Sequence, residues 1–323
     1  MTLRWGFLGA SRIGRRALAP AIAAAAGHAL HAVGARDAER ARAFADEFGA
    51  ARCYGGYQQV IDDPTLDAIY VALPNDAHLP WTLRALEAGK HVLCEKPLAL
   101  TADEVRQMQD TERRSGRRAM EGFCHLAHPQ VARARELIAD GAIGSIVSME
   151  SRYGFALDRA DDYRWIARHG GGALYDIGCY CVSIMRALSG RETVRAAAVS
   201  TMRGEVDATL TGLLDFGNGI GGQFTCSYVS AYTQQVTVIG SGGVLTLDTP
   251  FASKGRTTRL TMGDAREEFS ASDPYVAMVD AFGRAVRGEA EMRYDLAWSL
   301  RQAEALDALR AAAVSGEAIS VSR

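Results

Sequence analysis

Six residues near the N-terminus, Gly9-Ala10-Ser11-Arg12-Ile13-Gly14, follow a short apolar run from Leu3 to Leu8 and lead into a helical stretch. Glycine at the first position permits a tight turn, and glycine at the last lets helix and strand pack closely. The helix N-terminus then presents its N–H groups to an anion. Ser11 stands where such loops usually carry another glycine; it is small enough for close backbone approach, and its hydroxyl adds a hydrogen-bonding group. The chemistry this allows is the binding of a pyrophosphate, and so of a dinucleotide. Further along, Lys96 lies just past the carboxyl end of the apolar run His91 to Cys94, at the edge where open parallel sheets receive ligands. An ammonium there would face a nicotinamide ring. Asp176 and Tyr180 are four apart in a helical run, so they lie on successive turns of one face and can address the same ligand. Tyr180 equally fits the apolar stripe Leu174, Ile177, Cys181 and Ile184 of that helix.

The elements that must hold these residues alternate strand and helix as far as about residue 122. After a helix from Arg15 to Ala26, His28 to Ala35 reads as a second strand, and Asp37 caps a helix from Ala38 to Phe48 that Gly49 closes. Asp67 to Leu73 reads as a buried strand, Leu79 to Ala88 as a helix stopped by Gly89, and His91 to Cys94 as another strand. Thr101 and Glu104 form a capping box for a helix that ends at Gly116. This grammar is that of a Rossmann-type α/β domain with a parallel sheet over residues 1–122. Beyond it, helices at Val131 to Ala139 and Ala173 to Leu188 alternate with β-rich stretches, among them Ser145 to Phe155, Thr209 to Phe216, Gly222 to Val229, Gln235 to Ile239 and Gly243 to Leu247. Turns at Asp215 to Gly219 and Gly240 to Gly243 indicate antiparallel meanders. Residues 123–323 are therefore expected to form an α+β domain with a largely antiparallel open sheet, for substrate binding and oligomerisation. The last part reads as helices Pro274 to Val286 and Tyr294 to Ala313 and a short terminal strand.

Composition narrows the partners. The chain has 323 residues, 48% hydrophobic and 23% charged, with a net charge of -2, enough for two cores and without the basic excess that nucleic acid or an anionic membrane would call for. A small molecule is the expected partner. The six cysteines show no paired framework, no signal-peptide pattern opens the chain, and no uninterrupted 18-residue apolar stretch occurs, so a cytoplasmic protein is expected. Cys124, His125 and His128 are close in sequence, but without a fourth ligand or paired motif no metal is expected.

Four further segments occur in order: Leu73-Pro74-Asn75-Asp76-Ala77-His78, Glu95-Lys96-Pro97, Met120-Glu121-Gly122-Phe123 with His128-Pro129, and Gly170-Gly171-Gly172 through Asp176 to Tyr180. At these residues the sequence resembles the Gfo/Idh/MocA oxidoreductases, essentially end to end, and is most similar to the branch with dihydrodiol dehydrogenases, NADP-linked xylose dehydrogenases and glucose-fructose oxidoreductases. The resemblance implies a catalytic set of Lys96, Asp176 and Tyr180 and a cis Lys96-Pro97 bond. It implies cofactor contacts from Gly9, Ser11, Arg12, Ile13, Gly14, Leu73, Pro74, Asn75, Glu95 and Lys96. His78 either touches the nicotinamide ribose or substrate or serves as a capping and packing residue. Many members carry arginine two residues before the His-Pro pair. Leu126 stands there in this chain, which favours an uncharged substrate.

Three expectations complete the reading. Arg36 follows the second strand where NAD enzymes place an acid for the ribose hydroxyls, and Ala35 precedes it; with Arg40 one turn later, this favours NADP over NAD. Between Arg152 and His169, Tyr153, Arg164 and Trp165 are candidates for a sugar platform of aromatic faces and orienting polar groups. The reaction expected is hydride transfer between nicotinamide and a carbinol or ketone carbon of a sugar or cyclic polyol, the direction left open. A ketosugar reductase of the 1,5-anhydrofructose type and a non-catalytic dinucleotide sensor are the alternatives. In the enzyme reading Tyr180 transfers the proton; a free phenol titrates near 10, and a nearby ammonium such as that of Lys96 lowers it toward neutrality. An open antiparallel sheet with helices on one face leaves the other to be covered, so a homodimer or homotetramer is expected.

Overall fold

The computed structural model describes residues 2–321, which divide into two compact units: residues 2–123 with 275–300, and residues 124–274 with 301–321. The first unit is built on six strands: β1 (Leu3–Leu8), β2 (His28–Gly34), β3 (Arg52–Tyr54), β4 (Ala68–Val71), β5 (His91–Cys94) and β6 (Ala119–Glu121). They are all parallel, in the order β3-β2-β1-β4-β5-β6. Every residue of β4 is buried, as expected of a strand covered on both faces by crossover helices. Phe7 of β1 packs on Tyr70 of β4 and on Phe44, with ring centroids 4.8 and 5.9 Å apart.

The helices of this unit follow the sequence signals. A π-helical turn, Gly14–Leu18, runs into α1 (Ala19–Ala24); α2 (Ala38–Phe48) is capped by the Asp37 carboxylate and ends on Gly49 in the left-handed region. Next come α3 (Tyr57–Ile61), α4 (His78–Glu87) and α5 (Ala102–Ser115). Thr101 caps α5 through the Glu104 N–H, while Glu104 reaches back to the N–H of Leu100. The short β3, α3 and β6 carried too few apolar residues to stand out in the sequence.

The second unit holds α6 (Pro129–Ala139), β7 (Ile146–Ala156), a π-helical turn Leu174–Gly178 that continues as α7 (Cys179–Ser189), and eight further strands. These are β8 (Arg195–Arg203), β9 (Val206–Asp215), β10 (Gly221–Ser227), β11 (Val229–Gly240), β12 (Val244–Asp248), β13 (Thr258–Met262), β14 (Ala265–Phe269) and the terminal β15 (Ile319–Ser320). The sheet order is β14-β13-β12-β11-β7-β10-β9-β8-β15; every pairing is antiparallel except β7 with β10. Helices α6 and α7 pack on this sheet. Along β9 and β10 buried and exposed residues alternate, so one face is core and the other is open. The open face carries a polar ladder: Thr211 with Thr225, Gln223 with Glu150, Arg152 with Gln235, and Gln235 with Asp248, at 2.6–3.0 Å. At its end Val199 and Leu213 are 71% and 55% exposed.

The expected second domain, residues 123–323, took in the helix α8 (Pro274–Val286), but nearly all of it belongs with the first unit. The reason is apolar burial: Phe282 packs on the fully buried Trp5 of β1, centroids 5.1 Å apart, and Gly283 lies against His28. The last helix, α9 (Leu296–Ser315), begins in the first unit and ends in the second.

Candidate active site

In the first unit, strand order reverses at β1, whose neighbours are β2 and β4, so the crossover helices lie on opposite faces and the carboxyl ends of β1 and β4 border a crevice. The loop after β1 fills this position. Gly9 has φ +103°, and a Cβ there would stand 2.9 Å from the Ala72 carbonyl oxygen, closer than packing allows. Ser11 Oγ accepts the Gly14 N–H at 3.0 Å, so the serine braces the turn and keeps its own hydroxyl hydrogen to donate. Arg12 is exposed, and Ile13 is half-buried. Arg40 donates to the Ala10 carbonyl at 3.2 Å, which brings a guanidinium to the glycine loop from α2. Arg36 is exposed next to the buried Ala35. The carboxylate of Asp37 accepts from the N–H groups of Glu39 and Arg40 at 2.9 and 3.2 Å, so the nearest acid is engaged as a helix cap.

Leu73 and Pro74 follow β4, and Asn75 opens a short 3-10 turn into α4. His78 is the first residue of α4. It is wholly buried, and its Nδ1 and Nε2 lie 2.7 and 2.9 Å from the carbonyl oxygens of Pro97 and Leu73. Burial, and secondarily the Lys96 ammonium, lower its pKa. The imidazole thus ties the loop after β4 to the loop after β5, where the Lys96-Pro97 bond is cis. Glu95 takes the Tyr70 hydroxyl at 2.5 Å, and Glu121 of β6 accepts the Leu98 N–H at 2.9 Å. Lys96 therefore sits on a loop whose backbone is held on both sides.

In the second unit the π-helical turn Leu174–Gly178 carries Asp176, and α7 carries Tyr180. Single π turns inside helices occur often at functional sites, and they rotate side chains away from ideal α spacing. The two residues accordingly have different surroundings. Asp176 is buried and pairs with Arg164 Nε at 2.7 Å; Arg164 also holds Asp162 at 3.1 Å and lies over the Tyr163 ring. Burial disfavours the Arg164 charge, but the Asp176 carboxylate more than offsets this and raises its pKa. Tyr180 instead joins an aromatic cluster with His125, Tyr153 and Phe251, at centroid distances of 4.8, 5.7 and 5.7 Å. Tyr153 stacks on Phe251 at 5.1 Å. Trp165 lies apart from that cluster, against Tyr228 and under the Arg203 guanidinium.

Of the expected substrate residues, then, Tyr153 is placed beside Tyr180, Arg164 on Asp176, and Trp165 beside Tyr228. Two neighbours, Phe251 and Tyr228, went unread in the sequence. Phe251 follows Thr249, which has φ +56° and turns the chain out of β12, and a single Phe in such a turn carries no periodic signal. Tyr228 donates to the Gly172 carbonyl at 3.0 Å; burial first and Asp176 second push its hydroxyl well above the usual phenol range, so it stays a donor. His125 contacts Ser183 at 3.1 Å, and His128 caps α6, so both have local roles.

The chain matches the profile described as "Oxidoreductase family, NAD-binding Rossmann fold" over residues 3–123 and that of the "GFO/IDH/MocA C-terminal domain" over residues 131–246. It belongs to the Gfo/Idh/MocA family of oxidoreductases. It is 35% identical to D-xylose 1-dehydrogenase (NADP(+)) 2 of Haloferax volcanii, over 99% of this chain and 100% of that one. It is 38% identical to the dTDP-3,4-didehydro-2,6-dideoxy-alpha-D-glucose 3-reductase of Streptomyces violaceoruber, over 96% and 95% of the two chains. Among solved structures, a 3-ketoreductase from Actinomadura kijaniata in complex with NADP and TDP-benzene superimposes with a TM-score of 0.90 at 31% identity, over 97% and 98%.

The pairing of Arg164 with Asp176 generates a stability prediction. Removing one partner of a buried ion pair strands the other charge, at a cost of about 3 to 5 kcal/mol when fully buried; with Arg164 partly exposed, Arg164→Leu should cost about 2 to 3 kcal/mol in urea unfolding. Adding Asp176→Asn should return at least half of that loss. Two additive losses would show that the pair contributes no coupling.

Proposed function

We propose that this protein is an NADP(H)-dependent oxidoreductase acting on a carbinol or ketone carbon of a sugar or cyclic polyol. The observation that carries the reading is Tyr180: a phenol on a helix, walled by His125, Tyr153 and Phe251. Aromatic faces of this kind cover the C–H surface of a sugar ring, while a few polar groups orient its hydroxyls. The cofactor choice is supported by Arg36 beside Ala35, by Arg40 at the glycine loop, by Asp37 being engaged as a cap, and by NADP in the names of relatives. Gly9, Ser11, Arg12, Ile13 and Gly14 would hold the pyrophosphate, and Leu73, Pro74, Asn75, Glu95 and Lys96 the nicotinamide end. When bound, NADP(H) takes or supplies the hydride.

The proton and the charge are left to the side chains. Tyr180 accepts the hydroxyl proton on oxidation and returns it on reduction. Lys96 stabilises the negative charge that develops on the substrate oxygen, which is worth most where water is excluded. Asp176, held by Arg164, sets the direction from which hydroxyls approach. The 3-reductases among the relatives favour a second reading, a ketosugar reductase using the same residues in the reverse direction. NADPH consumption with ketosugars against NADP reduction with aldoses and polyols, followed at 340 nm, decides between them, and turnover with neither would leave a dinucleotide sensor.

Tyr180→Phe keeps the ring packing and removes the proton. Its kcat should fall by about 10² to 10⁴ with NADP affinity near normal, and Lys96→Met should be at least as damaging. A near-wild-type kcat with an unmoved pH profile would overturn the role of Tyr180.

Arg36→Ala should raise the KM for NADP by roughly 10- to 100-fold, the worth of a guanidinium-phosphate bond, and leave that for NAD little changed. Equal effects on both cofactors would reject a phosphate contact.

For assembly, the open sheet face, with its polar ladder and with Val199 and Leu213 exposed, is proposed to be covered by a second copy of the chain in a homodimer or homotetramer. Sedimentation at micromolar concentration should give two or four chains, and Leu213→Asp should shift the mass toward one. A monomeric wild-type protein contradicts the assignment.

A further inference from the structure

The helix that carries Asp176 and Tyr180 starts in an unusual way. Its first intrahelical bond runs from the Asp176 N–H to the Gly172 carbonyl at 3.2 Å. The residues before it, Gly170, Gly171 and Gly172, have no side chains with which to cap its orphan donors. The Gly171 and Gly172 N–H groups are spent on the carbonyls of Ile166 and Arg164, at 3.1 and 2.9 Å. Among the donors that remain are the N–H groups of Ala173 and Leu174, both buried in the fold.

A carboxylate from a distant part of the chain meets them. Asp207, the second residue of β9, accepts the Leu174 N–H at 2.7 Å through Oδ2, and the neighbouring Ala173 N–H also favours its ionised form. Gly172 makes this approach possible: it has φ +112°, and a Cβ there would overlap Asp207 Oδ1. A Cβ on Gly171 would likewise collide with the Arg164 carbonyl. The glycine run is thus accounted for, since one glycine lets the Arg164 loop pass and the next lets the cap in from β9. Tyr228 pins the same turn by donating to the Gly172 carbonyl at 3.0 Å.

We infer that Asp207 is a positioning residue for the reaction: by capping this helix from β9, it fixes the register and direction in which Asp176 and Tyr180 are presented. The inference rests on the role proposed above for Tyr180. Asp207 itself touches neither reacting group. Burial raises its carboxyl to about 6, while the Leu174 and Ala173 N–H groups, its own N–H and the Arg310 guanidinium of α9 hold it down. The other groups facing it are the buried Cys226 thiol of β10 and, across from it on β8, the neutral Met202. Arg310 also donates to the Tyr175 hydroxyl oxygen at 2.6 Å. Because the folded pKa lies above the unfolded one, the folded state holds the proton more tightly, and stability declines as pH rises from about 4 to about 6. The ionised cap is retained at the expense of stability, as expected of a group kept for function rather than for folding.

The experiment is a double-mutant cycle with a pH profile, on the full chain with NADP and its best sugar substrate. Asp207→Asn preserves shape and removes the charge. Its melting temperature at pH 7.5 should equal or exceed that of the unmodified protein and the KM for NADP should be unchanged, while kcat falls about 10-fold, within what slight misplacement of a reacting group costs. In the Tyr180→Phe background the same change should cost less than about 2-fold, because the group it positions is already gone. The unmodified protein should lose kcat as pH falls through about 6, and Asp207→Asn should lack that limb. An equal 10-fold loss in both backgrounds, or an unchanged kcat in Asp207→Asn, overturns the inference alone. A kcat of the unmodified protein that is flat from about pH 5 to 8 does the same, without any variant having to fold. A near-wild-type Tyr180→Phe overturns the reading of Tyr180 and the inference with it.

Discussion

The features of the first unit depend on a reversal of strand order. β1 is flanked by β2 on one side and β4 on the other, so the chain leaves β1 toward one face of the sheet and leaves β4 toward the other. A parallel sheet with right-handed crossovers has no alternative, and the gap this opens above the strand ends is where backbone donors can face a ligand. The gap is narrow. Gly9 lies so near the Ala72 carbonyl that no side chain fits, so the loops after β1 and β4 constrain each other before any ligand is considered.

Around that gap the fold relies on buried polar groups, each with a defined task. His78 spans two backbone carbonyls on different loops, Glu121 takes a backbone N–H beside the cis bond, and Tyr70 reaches Glu95 from inside the sheet. Buried polar atoms without partners are costly, so each of these contacts restricts its loop to one arrangement. The second unit solves the same problem with charge: Arg164 between Asp162 and Asp176, and a carboxylate at a helix start. In both units the residues proposed for chemistry stand on segments fixed by neighbours that do no chemistry.

What could be read from the sequence divides along the same line. The parallel order of strands, the helix caps at Asp37 and Thr101 and the helix ends at Gly49 and Gly116 are local signals, and the structure agrees with them. The long helix Pro274–Val286 was read to the residue, but not its allegiance, because nothing in an apolar helical stripe says which sheet it will cover. Asn75, Lys96 and Tyr180 were marked by motif; their surroundings were not. Phe251 sits in an irregular turn, Tyr228 lies between two strands, and Asp207 looks like any polar residue in an alternating strand. Long-range partners leave no periodicity, and the two π-helical turns break the periodicity that the helices around them show.

The return of residues 275–300 to the first unit has a consequence for the order in which the protein is made. Trp5 leaves the ribosome long before one of its ring neighbours, Phe282, which is synthesised only after the whole of residues 124–274. Until then that flank of the first sheet presents a large aromatic ring and the His28 imidazole to water or to whatever else is present. The nascent chain therefore carries an incomplete core while residues 124–274 are being made, and the period of greatest exposure to misassociation is set by the rate of synthesis rather than by the rate at which the sheet forms.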